Sequence, residues 1–91
     1  LNTEDDYIAE SEVFRVLDYD IEVKDELISE ALKYLPEKKR NVILLSFFLD
    51  MTDTEIAKYM NLVRSTIHHH RTSSLIALKK IMEEIRTGKK K

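Results

Sequence analysis

The spacing of apolar residues changes near Lys24. From Leu17 to Val23, LDYDIEV, apolar and acidic positions alternate strictly: Leu17, Tyr19, Ile21 and Val23 on one side, Asp18, Asp20 and Glu22 on the other. A period of two predicts a strand. A strand alone leaves its backbone groups unpaired, so this one needs a partner strand or must lie as an extended arm across helices. Val13, Phe14 and Val16 fit either an extension of it or a short helix. Residues 1–12 are acidic, with Tyr7 and Ile8 as apolar anchors. Beyond Lys24 the period becomes helical. Leu27, Ile28, Ala31, Leu32 and Leu35 share a face, with Asp25 and Glu26 in the first turn, where the helix dipole favours acids. Pro36 ends this helix and suits the start of the next. That next helix, roughly 37–49, carries Val42, Ile43, Leu44, Leu45, Phe47, Phe48 and Leu49. It is apolar nearly all round and is expected to be the central buried element.

Residues 50–71, DMTDTEIAKYMNLVRSTIHHHR, predict two helices joined by a tight corner. Thr52 with Glu55 three residues on forms a capping box, each side chain satisfying a helix-end amide. Ile56, Ala57 and Met60 supply an apolar face. Asn61, which tolerates left-handed backbone angles, stands where that helix should end, and Leu62 follows as a plug. A last helix is expected from about Arg64 to Arg86, with Ile67, Ser74, Leu78, Met82 and Ile85 inward. Val63 is a poor N-cap, which leaves Ser65 or Thr66 to cap the helix or to bind phosphate. Outward stand Arg64, Ser65, His68, His69 and Thr72, and Ile76 is apolar on that outer side. Short helix, corner and polar-faced helix is the layout of a helix-turn-helix that enters the DNA major groove.

The charge distribution strengthens this reading. Residues 1–37 hold 12 acidic and 3 basic side chains, net −9, whereas residues 38–91 hold 5 acidic and 12 basic, net +7. The overall −2 therefore conceals a basic C-terminal part suited to phosphate. Lys38, Lys39 and Arg40 lie in a first helical turn, where they oppose the dipole, so solubility or a nearby phosphate backbone accounts for them better than helix stability does. The tail Lys89, Lys90 and Lys91 reads equally as a solvated end. Ninety-one residues make one small domain. The single Gly and single Pro favour long helices over loops. No cysteine is present, so disulfides and thiolate metal sites are excluded and a reducing, cytoplasmic setting fits. No stretch approaches the ~18 apolar residues of a membrane span. The chain begins with Leu rather than Met, as expected of a piece of a longer protein.

Enzyme chemistry finds little footing. His68, His69 and His70 are consecutive, so their rings point about 100° apart on a helix. Paired helical metal ligands need i, i+4 spacing, and no metal site or cofactor is expected. Ser65 and Thr66 near His68 lack a third catalytic member and an oxyanion loop. His68 and His69 are expected to face the duplex and His70 to border the core. Arg71 falls on the inward side with Ser74 and Leu78, where a charge must be paired or snorkel outward. Glu55 or Glu37 is the expected partner, a phosphate the alternative. Arg64 is the candidate for sequence reading, because arginine can bond guanine through two parallel hydrogen bonds.

The run LPEKKRNVILLSFFLDMTDTEIAKYMNLVRSTIHHHRTSSLIALKKI resembles region four of bacterial sigma factors. Leu35–Glu37, the apolar helix Val42–Leu49, Glu55–Ala57 and Thr66–Ile67 stand at that family's spacing, and the likeness covers roughly residues 25–85. The Arg64–Thr66 start and the stretch RTSS, Arg71–Ser74, look more specifically like small sigma-like regulators of conjugative transposons in Gram-positive bacteria. The chain departs from the pattern at Asn61 (usually glycine), Val63 (usually serine) and Arg71 (often leucine). No counterpart of region two, which melts promoter DNA, is seen. The resemblance implies binding to a promoter element and, through apolar surface on the helices, to the flap of the RNA polymerase beta subunit.

Together these features predict an all-α helix-turn-helix bundle of about four helices with an N-terminal extended arm or short strand. Residues 1–23 form the acidic arm, 24–86 the DNA-binding domain (motif 52–71) and 87–91 a basic tail. The expected contacts with double-stranded DNA are Arg64, Ser65, Thr66, His68, His69 and Thr72, with Lys38, Lys39, Arg40 and Lys58 near phosphates. Two alternatives stay open: a repressor or activator that never meets polymerase, and a protein–protein module with a vestigial DNA face.

Overall fold

The computed structural model describes residues 11–89; Tyr7, Ile8, Lys90 and Lys91 lie outside the described residues. Two strands, β1 (Glu12–Val16) and β2 (Tyr19–Val23), precede four helices: α1 (Glu26–Leu32), α2 (Glu37–Ile43), α3 (Asp53–Met60) and α4 (Arg64–Arg86). The predicted strand thus has its partner in the segment just before it. The pair is antiparallel, with Glu12 opposite Val23, Phe14 opposite Ile21 and Val16 opposite Tyr19. Leu17 and Asp18 are left as a two-residue turn, so Leu17 does not continue the strand as its alternation suggested. Its φ of 53° is left-handed, a conformation that costs a non-glycine residue roughly 1 kcal/mol. The Tyr59 hydroxyl on α3 accepts a 2.9 Å hydrogen bond from the Asp18 amide, and the Tyr19 and Tyr59 rings lie 5.4 Å apart. The turn is therefore pinned to the helices, and Val16, Ile21 and Val23 join the same core as the helical residues.

Asp25 caps α1, its carboxylate accepting from the Ile28 amide at 2.9 Å. Pro36 then opens α2. The chain does not continue as one buried α-helix to Leu49. Leu44–Phe48 form a π-helical turn, and Asp50 takes a left-handed φ of 58°. Val42 to Leu45 remain in the core, but Phe47, Phe48 and Leu49 are 49%, 37% and 36% exposed. A π turn accommodates an extra residue, which rotates the side chains after it off the buried face. The end of the supposedly central helix is accordingly an apolar surface.

The capping box at α3 has both of its hydrogen bonds: the Glu55 amide donates to Thr52 Oγ1 at 3.1 Å, and the Thr52 amide to Glu55 Oε1 at 2.8 Å. Asn61 closes α3 in the left-handed region, φ 59°. No glycine is needed there, because asparagine tolerates that region better than most residues. The core gathers Ala31, Leu32, Leu35, Val42–Leu45, Ile56, Ala57, Ile67 and Leu78 around the inner side of α4. Among the described residues, no helix is long and apolar enough to cross a membrane.

Candidate nucleic-acid interface

α4 runs 23 residues and is held by one side only. Ile67, Ser74 and Leu78 are buried, while Arg64, Ser65, His68, His69, Thr72 and Ile76 are exposed. This division follows from helical periodicity: the two sets occupy opposite sides of a 3.6-residue turn. Arg64, Ser65 and His68 line one shallow depression. Thr66 is half-buried. The Thr72 hydroxyl donates back to the carbonyls of His68 and His69, at 3.0 and 3.2 Å, so its oxygen rather than its proton faces outward. Val63 provides no side-chain cap, and the geometry shows neither Ser65 nor Thr66 taking over that task. Their hydroxyls stay available, and α4 begins without a side-chain cap.

The cations expected near phosphate divide into two groups. Lys38 and Lys39, in the first turn of α2, come close enough to His70 to lower its proton affinity. The His69 and His70 rings are 6.2 Å apart, so this basic group adjoins the flank of α4. Arg40 and Lys58 turn toward the hairpin. The Arg40 guanidinium lies 5.9 Å over the Phe14 ring, and Lys58 lines a depression with Tyr19, Met51, Glu55 and Tyr59.

Arg71 is paired, as its inward position demanded, but neither Glu55 nor Glu37 is the partner. Its Nε and Nη2 donate to the two carboxylate oxygens of Asp53 at 3.0 and 2.8 Å, and the side chains are only 28% and 17% exposed. Glu55 is occupied by the capping box. The pair joins the first turn of α3 to the second turn of α4 and thereby sets how the two motif helices cross. Hydrogen bonds from Arg71 hold the Asp53 carboxyl below the usual carboxylate value of 3.8. Asp53 is the residue that sequence reasoning missed; an acid at the first position of α3, one turn from where α4 must pass, was the available signal.

His70 borders the core as expected, and its Nδ1 is buried without a hydrogen-bond partner. Burial, and then the charges of Lys39, His69 and Lys38, push its pKa below the usual 6.5. The unfolded chain therefore binds a proton before the folded one does. His70 is neutral in both states well above pH 6.5, and stability declines as the pH falls through 6.5 toward the lower folded value. The Asp53 contribution is complete above pH 3.8 and is lost only as the pH falls through its own lower value. Urea melts between pH 8 and pH 5 are expected to show the His70 loss, and His70→Gln to flatten it. An unchanged slope in that variant would show that the decline arises elsewhere.

Residues 25–78, more than half of the chain, match the family model described as Sigma-70, region 4. The chain belongs to this family. Comparison with curated proteins and with solved structures returns no match. The family match starts at Asp25, the cap of α1, and ends at Leu78 within α4, so it takes in the whole helix-turn-helix and leaves the hairpin outside. Membership makes this a region 4 helix-turn-helix domain of the DNA-binding, transcription-regulating kind, and the family is not one of enzymes. Among the described residues, no three His, Cys, Asp or Glu side chains gather as a metal site.

Proposed function

We propose that this region 4 domain reads a promoter element in double-stranded DNA, with the N-terminal half of α4 in the major groove. One observation carries the reading: the outer side of α4 exposes Arg64, Ser65, His68, His69 and Thr72 to solvent, while the opposite side is fastened to the core. On this reading Arg64 meets a base edge, Ser65, Thr66 and Thr72 offer hydroxyls, and His68 and His69 flank them. Lys38 and Lys39 approach one phosphate strand, with Arg40 and Lys58 near phosphates at the periphery. The uncapped amides at the start of α4 suit a phosphate as well.

Each neutralised phosphate releases condensed counterions. If Lys38, Lys39, Arg40 and Lys58 each cover one phosphate, log affinity should fall with log salt at a slope of about −3 to −4. Fluorescence anisotropy with a duplex across a salt series measures this. A flat response would remove the DNA assignment.

The second partner proposed is the RNA polymerase beta-subunit flap, met by Phe47, Phe48 and Leu49. Support comes from their exposure at the π turn, an apolar cluster that a solitary domain would be expected to bury. Pull-down on isolated flap domain should retain the wild type and lose Phe47→Ser/Phe48→Ser. Equal retention of both would send the flap contact elsewhere or nowhere, leaving DNA binding unaffected.

A further inference from the structure

The Asp53–Arg71 pair does more than join two helices, because a third group is attached to it. Arg71 Nη2 lies 3.2 Å from His68 Nδ1 and 2.8 Å from Asp53 Oδ2. A guanidinium nitrogen carries two hydrogens and has no acceptor capacity. Nη2 donates to Asp53, and its contact with Nδ1 can only be a further donation. Only a ring with a lone pair on Nδ1 can accept it, so the imidazole proton must reside on Nε2. The competing arrangement, a proton on Nδ1 directed at Asp53, would span 3.6 Å, beyond hydrogen-bond length, and would set that proton against the guanidinium. The ring is mostly exposed and adjoins Arg64 and Ser65 in the depression at the start of α4.

We propose that Asp53 and Arg71 are positioning residues that fix His68 as its Nε2–H tautomer, so that α4 offers a hydrogen-bond donor at the imidazole tip, matched to a purine N7 in the major groove. The inference rests on the reading of α4 as the groove-entering helix and adds one element of its specificity. Imidazole is otherwise ambiguous, a donor at one nitrogen and an acceptor at the other. Purine N7 is an acceptor at every A or G, whereas cytosine presents a donor there, so a fixed donor placed against the N7 position favours a purine and rejects cytosine on the contacted strand. The relay also gives a role to a charge at an inward position of α4. Arg71 occupies the inward side of α4, yet acts on the outer side through the ring three residues before it.

The free protein supplies the first test. Two-bond 15N–1H spectra of the imidazole rings at pH 8 separate the tautomers, and the resonances that vanish in His68→Gln identify the ring. The wild type should show a lone-pair Nδ1 and a protonated Nε2. Asp53→Asn/Arg71→Met removes both charges together, and a cooperative melt checks its fold; its His68 nitrogens should move toward each other as the tautomers mix. Identical ring spectra in the two proteins, or a mixed ring already in the wild type, would overturn the relay.

The second test uses a duplex that the wild type binds, with 7-deazapurine placed at one position at a time. One position should weaken wild-type binding about threefold to tenfold, the range of a single lost hydrogen bond. His68→Ala should be insensitive there, and His68→Gln, which keeps an N–H near the Nε2 site, should restore sensitivity. Indifference at every position would overturn the N7 contact. Should the wild type bind no duplex, the groove reading itself falls and the N7 contact with it, while the ring spectra still decide whether Arg71 fixes the tautomer.

Discussion

Replacing Ile67 with alanine is expected to cost about 2–5 kcal/mol of folding stability, the range for removing a buried isoleucine side chain. Ile67 is fully buried and is the first apolar residue of α4 to reach the core shared with Ile56, Leu44 and Leu45. Local collapse cannot fill the gap cheaply, because the backbone there is held by the corner at Asn61 on one side and by the Asp53–Arg71 pair on the other. A domain of this size has net stability of roughly 5–10 kcal/mol, so the melting temperature should drop by about 10 °C or more. Ile76 provides the internal comparison. It lies nine residues further along the same helix, yet is 72% exposed, and Ile76→Ala should leave stability within about 0.5 kcal/mol of wild type. Thermal melts of both variants measure this. Equal effects would mean that α4 does not divide into a core side and a free side.

Arg64→Ala is expected to weaken binding to the preferred duplex by about 1–3 kcal/mol, tenfold or more at the centre of that range. Arg64 is exposed in the first turn of α4, with Ser65 and His68 around it and no acidic partner within ion-pair distance among the described residues. Its guanidinium therefore does not have to break an internal contact before meeting DNA. The way the loss is distributed distinguishes two roles. A base contact predicts a large loss on the preferred site and a small one on unrelated duplexes, so the ratio between them shrinks. A phosphate contact predicts a uniform loss and a salt slope nearer zero by about one unit. Unchanged affinity for all duplexes would place the DNA, if it binds, somewhere other than the start of α4.

Features encoded within a few residues were legible in the sequence. The Thr52–Glu55 box, the left-handed Asn61 and the extent of α4 all depend on neighbours along the chain, and each is present. The hairpin was only half legible. Its turn uses Leu17 and Asp18 where a two-residue turn ordinarily advertises itself with glycine or asparagine, so Leu17 read as a strand residue. The π turn has no sequence signature at all, and a run as apolar as Leu44–Leu49 looked wholly interior. The need for a partner at Arg71 followed from its inward position. The choice of Asp53 over Glu55 followed from the crossing of α3 and α4, which spacing along one helix does not specify. The hairpin contact through Tyr59 spans 41 residues and was equally beyond reach.

The outer side of α4 from Arg64 to Thr72 is the surface proposed to meet duplex DNA. Its most direct test is an amide and side-chain NMR titration of the wild-type chain with a duplex selected from a random pool at moderate salt. The largest shift changes are expected at Arg64, Ser65, His68, His69 and Thr72, with smaller ones at Lys38 and Lys39. Perturbations confined to the hairpin or to Phe47–Leu49, with the α4 resonances unmoved at saturation, would contradict it.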